Sequence, residues 1–136
     1  MLSILKRFAV IIPALHIVHA YCVYNRLTNS TSRPSFLNVV KSGKGVLFTG
    51  RFRATIVGYD SRACFPYTDI TCNRFGSLVE PIILEVEPSF DGTLTDTARL
   101  AKCDAGGALI MYGSTNENLY GECVSRNGTV ARVNLI

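Results

Sequence analysis

Arg51, Arg53, Arg62 and Arg74 alternate along the chain with Phe52, Tyr59, Phe65, Tyr67 and Phe75. In such a mixture guanidinium groups can meet phosphates while rings stack on bases, which is the chemistry of a nucleic-acid platform. The competing reading is a strand whose aromatic side is core and whose arginines are solvated. Charge divides the same way: residues 21–79 hold eight Lys/Arg and two Asp, whereas residues 80–136 hold four Lys/Arg and eight Asp/Glu. The first half is the basic half.

Both histidines, His16 and His19, fall within the first twenty residues. There Lys6 and Arg7 precede the apolar run Phe8 to Val18, and Val18-His19-Ala20 sets small residues at the usual cleavage positions. Residues 1–20 therefore read as a secretory signal peptide, too short and too interrupted by Pro13 to span a bilayer. The expected mature protein, residues 21–136, is one domain with no membrane segment and no histidine. Histidine triads, two-histidine nucleases and mixed Cys/His zinc sites are excluded by that composition, and neither a metal nor a cofactor is expected.

All five cysteines, Cys22, Cys64, Cys72, Cys103 and Cys123, lie in the exported part, where disulfides are the expected chemistry. Five is odd, so two bridges leave one thiol over. Cys22 with Cys123 is the preferred pair, because it would tie the mature N-terminus to a late strand and close a loop worth about 4.7 kcal/mol in the chain-entropy model. Cys64 with Cys72 and Cys64 with Cys103 both stay open for the second. Two glycosylation sequons, at Asn29 and Asn127, agree with a secretory route. Asn127-Gly128 is also the strongest short signal for a type I′ hairpin.

These residues need elements to hold them. Pro34 suits a first helical position, Phe36, Leu37, Val39 and Val40 fit one apolar face, and Gly43 fits a helix stop, so the spacing predicts one short helix there. Strands are expected over 45–49, 52–57, 78–87, 97–102, 108–112, 119–125 and 129–135, divided by Gly, Pro, Asn and Asp. The fold class that follows is α+β, one short α-helix on a twisted antiparallel sheet, stapled by disulfides.

In the second half, Glu80-Pro81-Ile82-Ile83-Leu84 is followed by Ala98-Arg99-Leu100, by Gly107-Ala108-Leu109-Ile110-Met111-Tyr112-Gly113 and by Asn118-Leu119-Tyr120-Gly121-Glu122-Cys123. This order resembles the fungal guanyl-specific ribonucleases, in which a catalytic glutamate before Pro-Ile, an arginine nineteen residues on, a histidine-bearing strand and an Asn-aromatic-x-Glu-Cys end succeed one another. Phe65-Pro66-Tyr67 resembles the family's aromatic-Pro-His segment. The resemblance implies a base in Glu80 and a phosphate-binding cation in Arg99, but Tyr67 and Met111 stand where the family has histidines. A thioether cannot donate a proton, and an unperturbed phenol is a poor acid, so loss of the general acid removes roughly 10²- to 10⁴-fold of rate. Glu80 and Arg99 read equally well as a cross-strand ion pair, whereas Phe65, Tyr67 and Tyr120 read more readily as core packing than as base-stacking rings, and Met111 as core filler.

A secreted ribonuclease-like scaffold without catalytic histidines looks like the ribonuclease-like effectors of plant-pathogenic fungi, powdery mildews especially. The resemblance implies a monomeric, non-catalytic virulence effector that binds host RNA or a host protein. Arg51, Arg53, Phe65, Tyr67, Glu80, Arg99 and Tyr120 are its candidate contacts. A weak ribonuclease toxin using Glu80 and Arg99 is the enzymatic alternative. A disulfide-stapled extracellular inhibitor or structural protein is the third. The segment 124–136 runs past the family's usual end and is expected to add a hairpin strand or to cover a sheet edge.

Overall fold

In the computed structural model, residues 20–28, 32–41, 53–66, 81–92, 97–104 and 106–136 are described. They form nine strands: β1 (Ala20–Leu27), β2 (Phe36–Lys41), β3 (Arg53–Val57), β4 (Ser61–Pro66), β5 (Pro81–Ser89), β6 (Arg99–Asp104), β7 (Ala108–Gly113), β8 (Tyr120–Val124) and β9 (Val130–Val133). No helix occurs among the described residues, so the α+β expectation is corrected to all-β.

The expected helix is β2. Its apolar residues fit either period, but Leu37 and Val39 are buried while Phe36, Asn38 and Val40 are half-exposed, an alternation of two. β2 also runs between β3 and β5, antiparallel to both, so its backbone groups are met by neighbouring strands. The β-branched pair Val39-Val40 favours this outcome. The expected stop at Gly43 and the expected strand over 45–49 lie outside the described residues.

Two sheets result, one ordered β4-β1-β7-β8-β9 and the other β3-β2-β5-β6. All neighbours are antiparallel except β1 and β7, which run parallel with Tyr24 opposite Ile110. The sheets close on one core. The first supplies Tyr21, Val23, Leu27, Phe65, Leu109 and Met111, and the second Leu37, Val39, Ile56, Ile82, Leu84, Val86 and Ala101. These strands bury alternate residues toward the shared core, the pattern of two sheets that each keep one face wet.

At one end of the sandwich a polar knot joins the sheets. Fully buried Asn25 on β1 donates from Nδ2 to the Ile56 carbonyl of β3 at 3.0 Å and accepts from the Leu27 N–H at 2.9 Å. Buried Ser35 donates to the Leu27 carbonyl at 2.8 Å. The turn from β3 into β4 carries the chain between sheets through Gly58 and Asp60, both at positive φ, and the Asp60 N–H donates to the Asn25 carbonyl.

The disulfides differ from the preferred pairing. Cys22 bonds Cys64, its direct cross-strand neighbour in the β1–β4 ladder, and Cys103 of β6 bonds Cys123 of β8, tying sheet to sheet. Neither the Cys22–Cys123 bridge nor Cys64–Cys103 forms. The reason is facial: Cys22 alternates with buried Tyr21 and Val23 and so points outward, whereas Cys103 is buried between the sheets. Cys72 lies outside the described residues.

The hairpin at Asn127-Gly128 joins β8 to β9, but Gly128 has φ +87° and Asn127 is not in the left-handed region. A type I′ turn needs positive φ at both central residues. Instead the Gly128 N–H donates to Ser125 O at 2.9 Å and Ser125 N–H to Thr129 O at 2.8 Å, a longer loop in which the glycine alone takes the left-handed conformation. Beyond β9 the chain crosses to the other sheet. Ile136 and Leu100 exchange both backbone hydrogen bonds, at 3.0 and 3.2 Å, so the C-terminal residue sits on the outer edge of β6.

Candidate functional site

The registers of the five-stranded sheet line up its outward residues in rows. One row reads Arg62, Tyr24, Ile110, Glu122 and Arg132 across β4, β1, β7, β8 and β9. The next holds Arg26, Tyr112 and Tyr120 across β1, β7 and β8. They share a face because each is two residues, or a multiple of two, from the next outward residue of its strand, and the residues between them, Val23, Asn25, Leu109 and Met111, are buried. The sheet therefore carries three tyrosines and three arginines on its wet side.

Within this patch the side chains are organised. The rings of Tyr112 and Tyr120 stack at 5.0 Å with 15° between planes. Arg132 lies over Tyr120, its guanidinium carbon 4.4 Å from the ring centroid, and Arg26 lies 6.0 Å from that of Tyr112. The result is a ladder, Arg26, Tyr112, Tyr120, Arg132, in which cations bracket two stacked rings. Arg26 is held further by Asp60, Nε to Oδ1 at 3.0 Å, and reaches the Tyr112 hydroxyl at 3.5 Å. The Asp60 hydrogen bond, and then that of Tyr112, raise its pKa above the ordinary arginine value, so it stays charged. Neither Arg62 nor Arg132, both exposed, has an ion-pair partner among the described residues.

The residues singled out from the sequence are scattered by comparison. Tyr120 belongs to the ladder. Phe65 is buried against Tyr21, ring centroids 5.2 Å apart, and Met111 is fully buried. Arg99 sits on the inward side of β6 with Ala101 and Cys103, half-buried, and donates to the Asn116 side chain at 3.2 Å. Arg53 lies on the outer face of the other sheet, lining a depression of about 220 Å³ with Asn38, Val40, Thr55 and Glu87. Asn127 is exposed at the hairpin tip, its side chain accepting from Thr129 N–H at 3.0 Å. Arg51, Tyr67, Glu80 and Asn29 lie outside the described residues. No group of three metal-ligating side chains occurs among the described residues.

Tyr24, Arg26, Tyr112 and Arg132 escaped the sequence reading. The signal for them was period-two alternation: Cys22, Tyr24 and Arg26 interleave with apolar Tyr21, Val23 and Leu27, and Ile110 and Tyr112 with Leu109 and Met111. What no spacing shows is that β1 and β7, some eighty residues apart, are neighbours.

No described helix is long and apolar enough to cross a membrane. Compared with known proteins, the chain matches no family model, no curated protein and no solved structure.

Proposed function

We propose that this chain is an exported, disulfide-stapled β-sandwich that acts by binding a partner protein through the outer face of its five-stranded sheet. The observation that carries the reading is the tyrosine–arginine ladder on a solvent-facing surface. Tyrosine and arginine are the residue types that concentrate at binding hot spots, because they bring large, stiff contact area and planar hydrogen-bond donors. Stacking on each other already restricts these side chains, so less rotamer freedom is lost when a partner docks. Export is supported by the two disulfides and by the leader-like segment ahead of β1. Cleavage after Ala20 would leave the β1–β4 pairs from Tyr21↔Phe65 to Asn25↔Ser61 in place. The effector reading thus keeps its element of secretion and binding. The helix-on-sheet ribonuclease scaffold, which is not the fold found here, is not carried forward with it.

The test expresses the full chain in secretion-competent cells and uses the exported protein as bait in tissue extract, with and without nuclease. Three baits are compared: wild type, Tyr112→Ser/Arg132→Ser on the proposed face, and Arg53→Ser/Glu87→Ser on the opposite face. Proteins retained by wild type and the opposite-face variant after nuclease, but lost from the ladder variant, are the expected result. Retention that depends on nucleic acid, or that ignores the ladder, would overturn the reading.

A further inference from the structure

We infer that the ladder face recognises an extended acidic segment, with carboxylates received by Arg62 and Arg132. This rests on the proposed docking face and names the chemistry of its partner. Two observations select that chemistry over a nucleic acid. First, the ring faces of Tyr112 and Tyr120 are engaged. Tyr112 and Tyr120 cover each other, and Arg132 covers Tyr120 from the strand on the other side. A base needs an open ring face to stack on, and the ladder presents ring edges, phenol hydroxyls and guanidinium forks instead. Second, the cations do not form a continuous track. Asp60 occupies Arg26, and Glu122 stands in the row between Ile110 and Arg132. A phosphate backbone favours uninterrupted positive charge, whereas two separated carboxylates need only two separated forks.

The row gives the spacing. Arg62 and Arg132 stand on strands separated by three others, which at about 4.8 Å per strand places them roughly 19 Å apart. An extended peptide rises about 3.4 Å per residue, so about six residues bridge that distance. Between the two arginines lie Tyr24, Ile110 and Glu122, all half-buried; Tyr24 and Ile110 suit an apolar residue near the middle of the segment, and Glu122, directly across from Arg132, keeps that arginine's neighbourhood from being uniformly positive. Arginine is the fitting cation because its planar fork can take a carboxylate in two hydrogen bonds, and at Arg132 the Tyr120 ring holds the guanidinium's other face meanwhile.

The experiment titrates the exported protein at low salt with a fluorescent peptide bearing two glutamates about six residues apart around a central leucine. The same peptide with both glutamates changed to glutamine, the same peptide with both changed to lysine, and a uridine-rich RNA oligonucleotide are titrated beside it. The glutamate peptide should bind, weaken about tenfold on loss of two solvent-exposed ion pairs in Arg62→Ala/Arg132→Ala, and keep its affinity in Lys102→Ala on the other sheet. An Arg62→Glu/Arg132→Glu variant, with its thermal midpoint checked, should prefer the lysine peptide. Equal binding of the glutamine peptide, or tighter binding of RNA, would overturn the inference. Ladder-dependent protein capture without acidic-peptide binding would overturn it alone and leave the docking face standing. Capture indifferent to the ladder would remove both.

Discussion

The guanidinium carbon of Arg132 lies 4.4 Å from the centroid of the Tyr120 ring, although the residue directly across the strand from Arg132 is Glu122. The arginine thus sits diagonally on a ring that is already stacked on Tyr112. Aromatic pairs contribute about 0.5–1.5 kcal/mol beyond area burial, and an exposed cation–π contact about 0.5–1 kcal/mol. Tyr120→Ala should therefore cost about 1–2 kcal/mol in urea unfolding and Tyr120→Phe almost nothing. Equal loss in both would mean that the hydroxyl, and not the stacked ring, holds the ladder.

Asn25 makes a second, independent prediction. Its amide satisfies the Ile56 carbonyl and the Leu27 N–H inside the core, so Asn25→Ala leaves two buried backbone groups unmet and should cost about 2–6 kcal/mol, at about 1–3 kcal/mol each. Asn38 also hydrogen-bonds a side chain, Thr55, but on an exposed face, where water can replace it. Asn38→Ala should fall within about 0.5 kcal/mol of wild type. Comparable effects at the two sites would contradict the burial that separates them.

The bridges are checked chemically. Non-reducing digestion should recover Cys22 joined to Cys64 and Cys103 joined to Cys123. The bridges span 42 and 20 residues of sequence. In the chain-entropy model that corresponds to about 3.9 and 3.3 kcal/mol respectively. The paired Cys22→Ser/Cys64→Ser and Cys103→Ser/Cys123→Ser variants should then lose similar stability. Recovery of a Cys22–Cys123 peptide would overturn the face assignment of β1, since that bridge needs Cys22 turned inward.

How much of this was legible beforehand depends on range. β3, β5, β6, β7, β8 and β9 all fall on segments where alternation and turn residues predict strands, because those signals act within a few residues. Phe36 to Val40 misled because two adjacent apolar pairs satisfy both periods, and only the flanking β3 and β5 decide between them. β1 and β4 fall outside the segments where those signals predict strands: one begins the expected mature chain, and the other holds the aromatic-Pro motif. The candidate site failed for the same reason. Tyr120 belongs to a local motif, whereas its partners Tyr112, Arg132 and Arg26 come together only through strand pairing. Phe65 and Met111 are site candidates on the resemblance but core residues on their own chemistry, and burial places both in the core.

The C-terminus supplies the last prediction. Ile136 exchanges two backbone hydrogen bonds with Leu100, and Leu135 packs against the core, so three residues beyond β9 cover part of the outer edge of β6. An uncovered edge offers unpaired N–H and C=O groups to another chain. Deleting Asn134 to Ile136 should cost about 1–3 kcal/mol for the two bonds at 0.5–1.5 kcal/mol each and produce concentration-dependent self-association on size-exclusion chromatography with light scattering. Ile136→Gly keeps the backbone bonds and should behave as wild type in association. If the truncated protein stays equally stable and shows no association, the terminal pairing does not protect the edge, and β6 must be shielded by its twist or by its charged residues Lys102 and Asp104 instead.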